Sequence, residues 1–375
     1  MPGATSPRSL PRAAPSDDGE RMVAALLAAV TVAAALMPPA VRPAAAPPRA
    51  SAPAMGIFDD VDGWIVKEVG AIKSKSGVGG GSGWSTCTRY SIDSHEGQKR
   101  ELFVKVSGSA NMESMFLGEA LGLKALGASG ALAIPEVLHY GDGFAGGSFI
   151  IMEYLEMRGR PDPEEFGRAM AKLHLAEPRD AEAKAGKFGF PVDNTIGATP
   201  QPNSWSADTG TRGWAEFFRE KRIGHQVRLA RDSRMRKEWE RVCEATDGLN
   251  TLFEGIEKPI RPSVLHGDLW SGNIAAVGST PCIFDPAVYY GHHEAEWGMS
   301  WCASLPPAFW KGYRELIPED DGFRKRAELY ECYHKLNHYN VRRRVLELSP
   351  RLLPPSQQTS PRIAVVAAVW WRLLQ

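Results

Sequence analysis

VLHGDLWSGN at residues 264–273 is followed by IFDP at residues 283–286. Asp268 and Asn273 are five residues apart, and Asp285 lies twelve residues beyond Asn273, after an apolar run. Phosphoryl transfer needs a carboxylate beside the attacking hydroxyl and oxygen ligands for a magnesium ion that bridges the phosphates. Kinases supply these groups in this order and at this spacing. We therefore predict Asp268 as the catalytic base and Asn273 and Asp285 as Mg²⁺ ligands. The alternative, a surface loop in which Asp and Asn only form turns, leaves Asp285 unexplained.

Elements that would bind ATP precede this stretch in the expected order. A glycine cluster contains Gly79, Gly80 and Gly81, and a glycine-rich hairpin lets backbone N–H groups approach phosphate oxygens. Lys105 ends an apolar strand-like segment and would neutralise the phosphates, while Glu119 in the following helical segment would hold that lysine by ion pairing. The sequence thus predicts ATP as the phosphoryl donor.

The order of elements predicts an α+β, bilobal, protein-kinase-like fold. Strand-like segments and one glycine cluster come first, and amphipathic helices follow after residue 159, which is typical of a small antiparallel-sheet N-lobe joined to a larger helical C-lobe. We place the N-lobe at residues 55–158 and the C-lobe at residues 159–340. The segment between the lobes, where backbone groups would contact adenine, contains Glu153, Tyr154 and Leu155.

Residues 1–54 are rich in Ala and Pro and predict a targeting leader. Residues 22–37 form an uncharged apolar run, shorter than the roughly 20 residues of a membrane span, so no stable membrane span is expected. The run fits the core of a signal peptide. An Arg-, Ala- and Ser-containing segment follows it, which is typical of the two-part leaders of plastid proteins. A plain secretory signal and a mitochondrial leader remain alternatives.

Charge and cysteine content exclude other classes. Lys plus Arg and Asp plus Glu are both 44, so the net charge is zero and no nucleic-acid partner is expected. The five cysteines are scattered and contain no C-x-x-C pair, which argues against a disulfide framework and a zinc site.

Longer segments carry a family resemblance. HGDLWSGN, IFDPAVYYGHHEAEWGM, FGFPVDNTIGATPQPNSW and LNHYN resemble the fructosamine kinase (ketosamine-3-kinase) family, and the resemblance covers most of residues 56–340. It implies a protein-kinase-like fold and ATP-dependent phosphorylation of the 3-hydroxyl of ketosamines, either free or on glycated proteins. The product releases the free amine, so the activity amounts to deglycation. Plant and bacterial members are associated with ribulosamines and erythrulosamines more than with fructosamines.

The resemblance also implies roles for individual residues. His266 would brace the loop of Asp268 by hydrogen bonding. Trp270, Asn194 and Trp205 would shape the ketosamine pocket, since an aromatic face suits the apolar side of a sugar. Adjacent His292 and His293 would be structural, because neighbouring side chains point in different directions and rarely ligate one ion.

Two departures and two alternatives accompany the resemblance. Gly83 stands where many members have a loop cysteine, which puts redox control in doubt, and residues 341–375 form a divergent tail. A kinase for another small hydroxyl compound, aminoglycoside- or choline-like, is one alternative. A catalytically silent pseudokinase is the other, and the intact Lys105, Asp268, Asn273 and Asp285 speak against it.

Overall fold

A computed structural model describes residues 55–78, 85–108, 113–144, 146–197, 199–256 and 258–348. The predicted leader, the glycines Gly79, Gly80, Gly81 and Gly83, and residues 349–375 lie outside the described residues. No helix among the described residues is both long and apolar enough to cross a bilayer.

The N-lobe is built on an antiparallel sheet of five strands in the order β1-β2-β3-β5-β4. A helix precedes the sheet and a second helix connects β3 to β4. The bounds are α1 (Met55–Glu68), β1 (Gly70–Gly77), β2 (Thr86–Ser94), β3 (Lys99–Ser107), α2 (Glu113–Gly127), β4 (Val137–Asp142) and β5 (Ser148–Glu153).

Side-chain alternation along β3 decides which helix each residue faces. Leu102, Val104 and Val106 are buried in one cluster with residues of α1, whereas Phe103 packs in a second cluster with residues of α2. Since successive side chains of a strand point to opposite faces, Lys105 lies on the same face as Phe103. The sequence alternation alone thus directs Lys105 towards α2.

The C-lobe is mainly helical and contains the largest apolar core. Its helices are α3 (Pro163–Leu175), α4 (Ala181–Lys184), α5 (Gly210–Phe217), α6 (Gly224–Ala230), α7 (Ser233–Ala245), α8 (Ser300–Ala303), α9 (Pro307–Arg314) and α10 (Phe323–Leu348). A π-helical segment (Phe218–Ile223) joins α5 to α6, and 3₁₀ turns cover Asn250–Phe253, Ser271–Asn273 and His293–Met299.

Three short antiparallel pairs complete the C-lobe and carry the site. They are β6 (Asn194–Ile196) with β7 (Thr199–Gln201), β8 (Ser263–Leu265) with β11 (Tyr289–Gly291), and β9 (Ile274–Val277) with β10 (Thr280–Ile283). Single bridges, Ala133 with Cys282 and Met157 with Val277, connect β10 and β9 to residues that flank the N-lobe sheet. The predicted α+β, bilobal class is confirmed.

Several boundaries differ from the sequence prediction. The strand β1 was missed because most of its side chains are exposed, so it lacks an apolar alternation. The sequence of residues 235–253 predicts one helix by its apolar spacing, but the helix ends at Ala245, since the backbone turns left-handed at Asp247, Gly248 and Leu249. Helix α10 continues through Asn340 to Leu348, so the boundary that we placed at residue 340 falls inside a helix.

Candidate active site

The loop after β8 turns sharply just before Asp268. Gly267 has φ +78°, and a Cβ on this residue would lie 2.2 Å from the carbonyl oxygen of Ala287. Only glycine fits such a left-handed position in so close an approach of two backbones. The N–H of Ala287 in turn donates to the carbonyl oxygen of His266 at 2.8 Å, which fastens the loop to the chain entering β11.

His266 is buried and its imidazole braces the loop. Its Nε2 lies 2.8 Å from the carbonyl oxygen of Phe284, and its Nδ1 lies 3.3 Å from the backbone nitrogen of Asp268. One neutral tautomer satisfies both contacts, with Nε2–H donating and Nδ1 accepting. Burial lowers the pKa of His266, which favours this neutral form. The ring therefore joins the loop of Asp268 to the segment that carries Asp285.

Asp268 lies in a desolvated and negatively charged environment. Burial, followed by the charges of Asp285 and Glu296, raises the pKa of Asp268 to about 7. A carboxyl group whose pKa is near the working pH suits proton transfer. The pKa shift is thus of the kind that functional carboxyl groups show.

Asn273 is oriented by two carbonyl groups. Its Nδ2 donates to the backbone oxygen of Asp268 at 2.9 Å and to that of Asp285 at 3.2 Å. This orientation leaves Oδ1 as the atom that can ligate a metal, since an amide nitrogen is a donor only. The amide also ties together the two segments that carry the predicted base and the second Asp.

Asp285 joins the C-lobe to the N-lobe. It is one of the few described non-glycine residues with a left-handed backbone (φ 54°), a conformation that often marks functional positions. Its half-exposed carboxylate accepts a hydrogen bond from Lys105 Nζ, and Lys105 Nζ also donates to Glu119 Oε1 at 2.6 Å. Burial alone would lower the pKa of Lys105, but the two carboxylates outweigh it and raise the pKa above its ordinary value.

The structure brings five predicted residues together at one place: Lys105, Glu119, Asp268, Asn273 and Asp285. The oxygen donors fit the preference of Mg²⁺ for carboxylate and carbonyl ligands, and the half-exposed Asp285 and the orientation of Asn273 leave oxygen atoms for such an ion. The oxygen atoms of Asn273 and Asp285 are therefore suitable ligands for the predicted magnesium ion. The glycines Gly79, Gly80 and Gly81 lie outside the described residues, so their contact with phosphates stays a prediction.

The segment between the lobes can use only some of its backbone groups for adenine. The N–H of Glu153 donates to the carbonyl oxygen of Glu136 at 2.8 Å, and the N–H of Tyr154 donates to the backbone carbonyl oxygen of Glu101 at 3.1 Å. The Tyr154 ring lies under the guanidinium of Arg89, 4.3 Å from ring centroid to Cζ. Neither N–H is available for a base, and the carbonyl oxygen of Leu155 already accepts the N–H of Met157 at 2.9 Å. Contact with adenine through the other carbonyl groups of this segment and the N–H of Leu155 stays a prediction.

The three residues expected to shape the acceptor pocket lie in different surroundings. The Trp270 side chain is 44% exposed, and its indole covers Gly272, where a Cβ would come within 2.3 Å of the ring. Trp205 is partly buried and stacks on Tyr290, with ring centroids 6.1 Å apart. Trp270 remains a candidate for substrate contact, whereas the packing of Trp205 favours a structural role.

Asn194 is buried, and its side chain is used within the protein. Its Nδ2 donates to the carbonyl oxygen of Val288 at 2.8 Å, and its Oδ1 accepts from Gln201 at 2.8 Å and from Asn203 at 2.9 Å. An amide whose oxygen already accepts two hydrogen bonds and whose nitrogen donates one gains little from a substrate hydroxyl. This placement disagrees with the expected substrate contact and favours a structural role.

The histidine pair after β11 belongs to a structural network. The ligand atoms of His292, His293 and Glu294 lie within 4.8 Å of one another, as in some metal sites. However, Glu294 accepts two hydrogen bonds from Arg326, at 2.6 and 2.7 Å, and His292 Nδ1 lies 2.7 Å from the Tyr330 hydroxyl. A carboxylate held by a bidentate Arg is a poor ligand for a cation, which agrees with the structural role expected from the sequence.

Sequence reasoning missed Glu296 and Arg222. Glu296 contacts the backbone just before Asp268, at 2.6 Å from the nitrogen of His266. Arg222, in the π-helical segment, is buried against the Tyr289 ring at 3.9 Å and donates to Asn203 Oδ1 at 2.7 Å. Both contacts join distant parts of the chain, and the sequence contains no local spacing that could have indicated them.

Comparisons with known proteins agree with this arrangement. Residues 65–343 match the sequence profile of the family described as Fructosamine kinase. The chain is 41% identical over 291 residues to the chloroplastic protein-ribulosamine 3-kinase of Arabidopsis thaliana, covering 76% of this chain and 82% of the relative. It is 33% identical over 298 residues to ketosamine-3-kinase of Mus musculus, covering 74% and 93%. A solved structure from Thermobifida fusca, provisionally named a fructosamine-3-kinase, is 26% identical with a TM-score of 0.61 and covers 78% of this chain and 98% of that one.

Proposed function

Because the chain belongs to the fructosamine kinase family, we propose that it transfers the γ-phosphoryl group of ATP to the 3-hydroxyl of ketosamines. Ribulosamines on glycated lysine side chains are the proposed preferred substrate. The observation that carries the proposal is the convergence of Lys105, Asp268, Asn273 and Asp285 at one place in a chain 41% identical to a protein-ribulosamine 3-kinase.

Asp268 is the proposed general base. Phosphoryl transfer demands little covalent chemistry from the protein beyond positioning and charge stabilisation. In this proposal Asp268 accepts the proton of the sugar hydroxyl as that oxygen attacks phosphorus. Asn273 Nδ2 donates to the backbone oxygens of Asp268 and Asp285. One side chain therefore positions both the proposed base and the second proposed metal ligand.

Lys105, Glu119, Asn273 and Asp285 form the proposed ATP and magnesium site. Lys105 supplies positive charge to the phosphates, and Glu119 keeps its ammonium in place. Asn273 Oδ1 and the Asp285 carboxylate would hold Mg²⁺, which, when bound, neutralises charge that develops on the phosphoryl oxygens. Asp285 would exchange its contact with Lys105 for one with the metal.

The acceptor side and the cellular location are also proposals. The exposed Trp270 ring offers an aromatic face to the sugar, close in sequence to Asp268. Relatives from Arabidopsis thaliana and rice are named chloroplastic, which supports a plastid location directed by residues 1–54. A fluorescent fusion of those residues should accumulate in plastids, and accumulation elsewhere would contradict that location.

The test is turnover of matched substrates by the purified full chain. We expect Mg²⁺-dependent ATP consumption with ribulose-lysine, faster than with fructose-lysine, and no turnover of choline or an aminoglycoside. Asp268→Asn should lower kcat by about 10²–10⁴-fold while ATP binding survives. Asp208→Asn, a change in an exposed ion pair with Arg212, is the control and should keep wild-type turnover.

Two outcomes would contradict the proposal. Near-normal turnover by Asp268→Asn would remove this residue from the role of base. ATP binding by the wild-type chain without consumption on any ketosamine would indicate a pseudokinase or a kinase with another acceptor.

A further inference from the structure

We infer that Glu296 is a positioning residue of the active site, whose carboxylate sets the backbone of the loop before Asp268 and thereby the place of the base. The expected loss of kcat rests on the proposed function, whereas the expected effect on the loop backbone does not. Glu296 lies in the 3₁₀ turn His293–Met299, on a segment of the chain separate from the catalytic loop.

The contact involves both carboxylate oxygens. Oε2 accepts the N–H of His266 at 2.6 Å, and Oε1 accepts the N–H of Gly267 at 3.0 Å. Two consecutive backbone N–H groups that converge on an anion form a nest, and here the anion is a side chain of the protein itself. The left-handed φ of Gly267 is part of this geometry. The next residue is Asp268, so a shift of the nest would move the base directly.

The carboxylate has no arginine or lysine partner among the described residues. Its side chain is fully buried, and the nearest ionisable partner is His174, with Nε2 at 3.4 Å from Oε2. Burial alone would raise the pKa of Glu296, but contacts with His174 and with the N–H of His266 outweigh it and lower the pKa. A buried carboxylate is costly unless it is hydrogen-bonded. The two loop N–H groups and the contact with His174 therefore stabilise it together.

Glu296 is itself held in place from the opposite side. His174, at the end of α3, has Nδ1 2.8 Å from the hydroxyl of Tyr313 in α9, and its backbone oxygen accepts from Ser263 Oγ at 2.7 Å. Ser263 begins β8, the strand that leads into the catalytic loop. The loop is thus fastened both through its strand and through its backbone N–H groups to the same group of helices.

Glu294 provides a matched comparison in the same turn. It is equally buried, but its carboxylate is used by Arg326 and makes no contact with the catalytic loop in the described structure. Replacement of either glutamate by glutamine removes one buried negative charge and keeps the side-chain size. Only the change at residue 296 replaces an acceptor of a loop N–H by an amide NH₂, which cannot accept.

The test compares Glu296→Gln with Glu294→Gln in the full chain. Steady-state kinetics with ribulose-lysine should show kcat lowered about 10- to 100-fold by Glu296→Gln, because small misplacement of a catalytic group costs this much. Its KM for ATP should stay within about twofold of wild type, since the Lys105 and Glu119 pair is untouched. Glu294→Gln should lower the melting temperature but keep kcat within about threefold.

Hydrogen exchange gives a readout that does not depend on the substrate. The amides of His266 and Gly267 should exchange slowly in the wild-type chain and at least about tenfold faster in Glu296→Gln. In Glu294→Gln their exchange should be unchanged. If no ketosamine is turned over, the proposed function fails, yet the exchange rates still test the positioning role.

Two results would overturn the inference. The first is a Glu296→Gln protein with wild-type kcat and wild-type protection of the two amides, even with a lowered melting temperature. The second needs no variant and so applies even if Glu296→Gln does not fold. It is that the amides of His266 and Gly267 in the wild-type protein exchange as fast as exposed amides.

Discussion

At the scale of single residues, Asp285 combines a left-handed backbone with a carboxylate that contacts Lys105 and is the proposed ligand of Mg²⁺. Its left-handed φ of 54° is tolerated best by Asn, Asp and Gly, so Asp285→Asn changes the charge without straining the turn. We expect this variant to lose most of the Mg²⁺ dependence of ATP binding, because a neutral amide is a weaker ligand than a carboxylate. The lost affinity should be at least about tenfold, or ~1.4 kcal/mol. Calorimetric titration with ATP, with and without Mg²⁺, measures it. Asp208→Asn is the control, and an undiminished response of Asp285→Asn to Mg²⁺ would show that Asp285 is not a metal ligand.

At the scale of elements, helix α2 is seated against the β6–β7 pair. A Cβ on Gly118 would lie 2.6 Å from Asn194 Cβ, and Asn194 is fixed by its three hydrogen bonds. Gly118→Ala should therefore displace α2 and the adjacent Glu119. We expect KM for ATP to rise several-fold and stability to fall by about 1–3 kcal/mol, as for other overpacked sites. ATP kinetics and thermal unfolding measure both effects.

The control for Gly118→Ala is another glycine in a helix. Gly63 in α1 has no atom within 4 Å of an added Cβ. Gly63→Ala should raise the free energy of unfolding by up to about 1 kcal/mol through helix propensity and leave KM for ATP unchanged. Equal effects of the two substitutions would mean that the contact with Asn194 does not seat the helix.

At the scale of the whole molecule, buried histidines couple stability to pH. His266, His292, His293 and His334 all have pKa values lowered by burial, and burial, followed by the charges of His338 and Arg222, lowers the pKa of His334 to about 3. Below the unfolded value of about 6.5 the unfolded chain binds a proton that the folded chain does not. Each such histidine therefore lowers the free energy of unfolding as the pH falls from 6.5 towards its folded pKa.

His334→Gln should remove one of these contributions. Between pH 7.5 and 5.5 the wild type should lose about 1.4 kcal/mol more unfolding free energy than the variant, whatever the other groups contribute, because they are common to both. Urea unfolding of the two proteins at several pH values measures the difference. Parallel pH dependences would indicate that His334 is protonated in the folded protein.

The accuracy of the sequence prediction depended on how local the relevant contacts are. Asp268, Asn273 and Asp285 lie on one loop and the hairpin after it, so their spacing nearly determines their geometry. Lys105 and Glu119 lie on a strand and the helix that follows it, where alternation and order suffice. These placements could therefore be predicted from the sequence.

Contacts between distant segments could not be predicted in this way. The strand β1 pairs through its backbone and shows mostly exposed side chains, so no apolar period marks it. Asn194 was assigned to the substrate because it lies in a family motif, yet its partners are Val288, Gln201 and Asn203. Glu296 reaches a loop thirty residues earlier in the chain, and a turn rich in acids and histidines gives no sign of which carboxylate does so.

The close packing of Gly118 on Asn194 has a consequence for control of the enzyme. A protein whose competent conformation is only a minor fraction binds its ligand more weakly in proportion to that fraction. Here the helix that carries Glu119 packs against a buried amide that makes three hydrogen bonds, so an alternative position for this helix would have to break that packing. We therefore expect this packing to keep Glu119 beside Lys105, so that little of the affinity for ATP is lost to other positions of the helix.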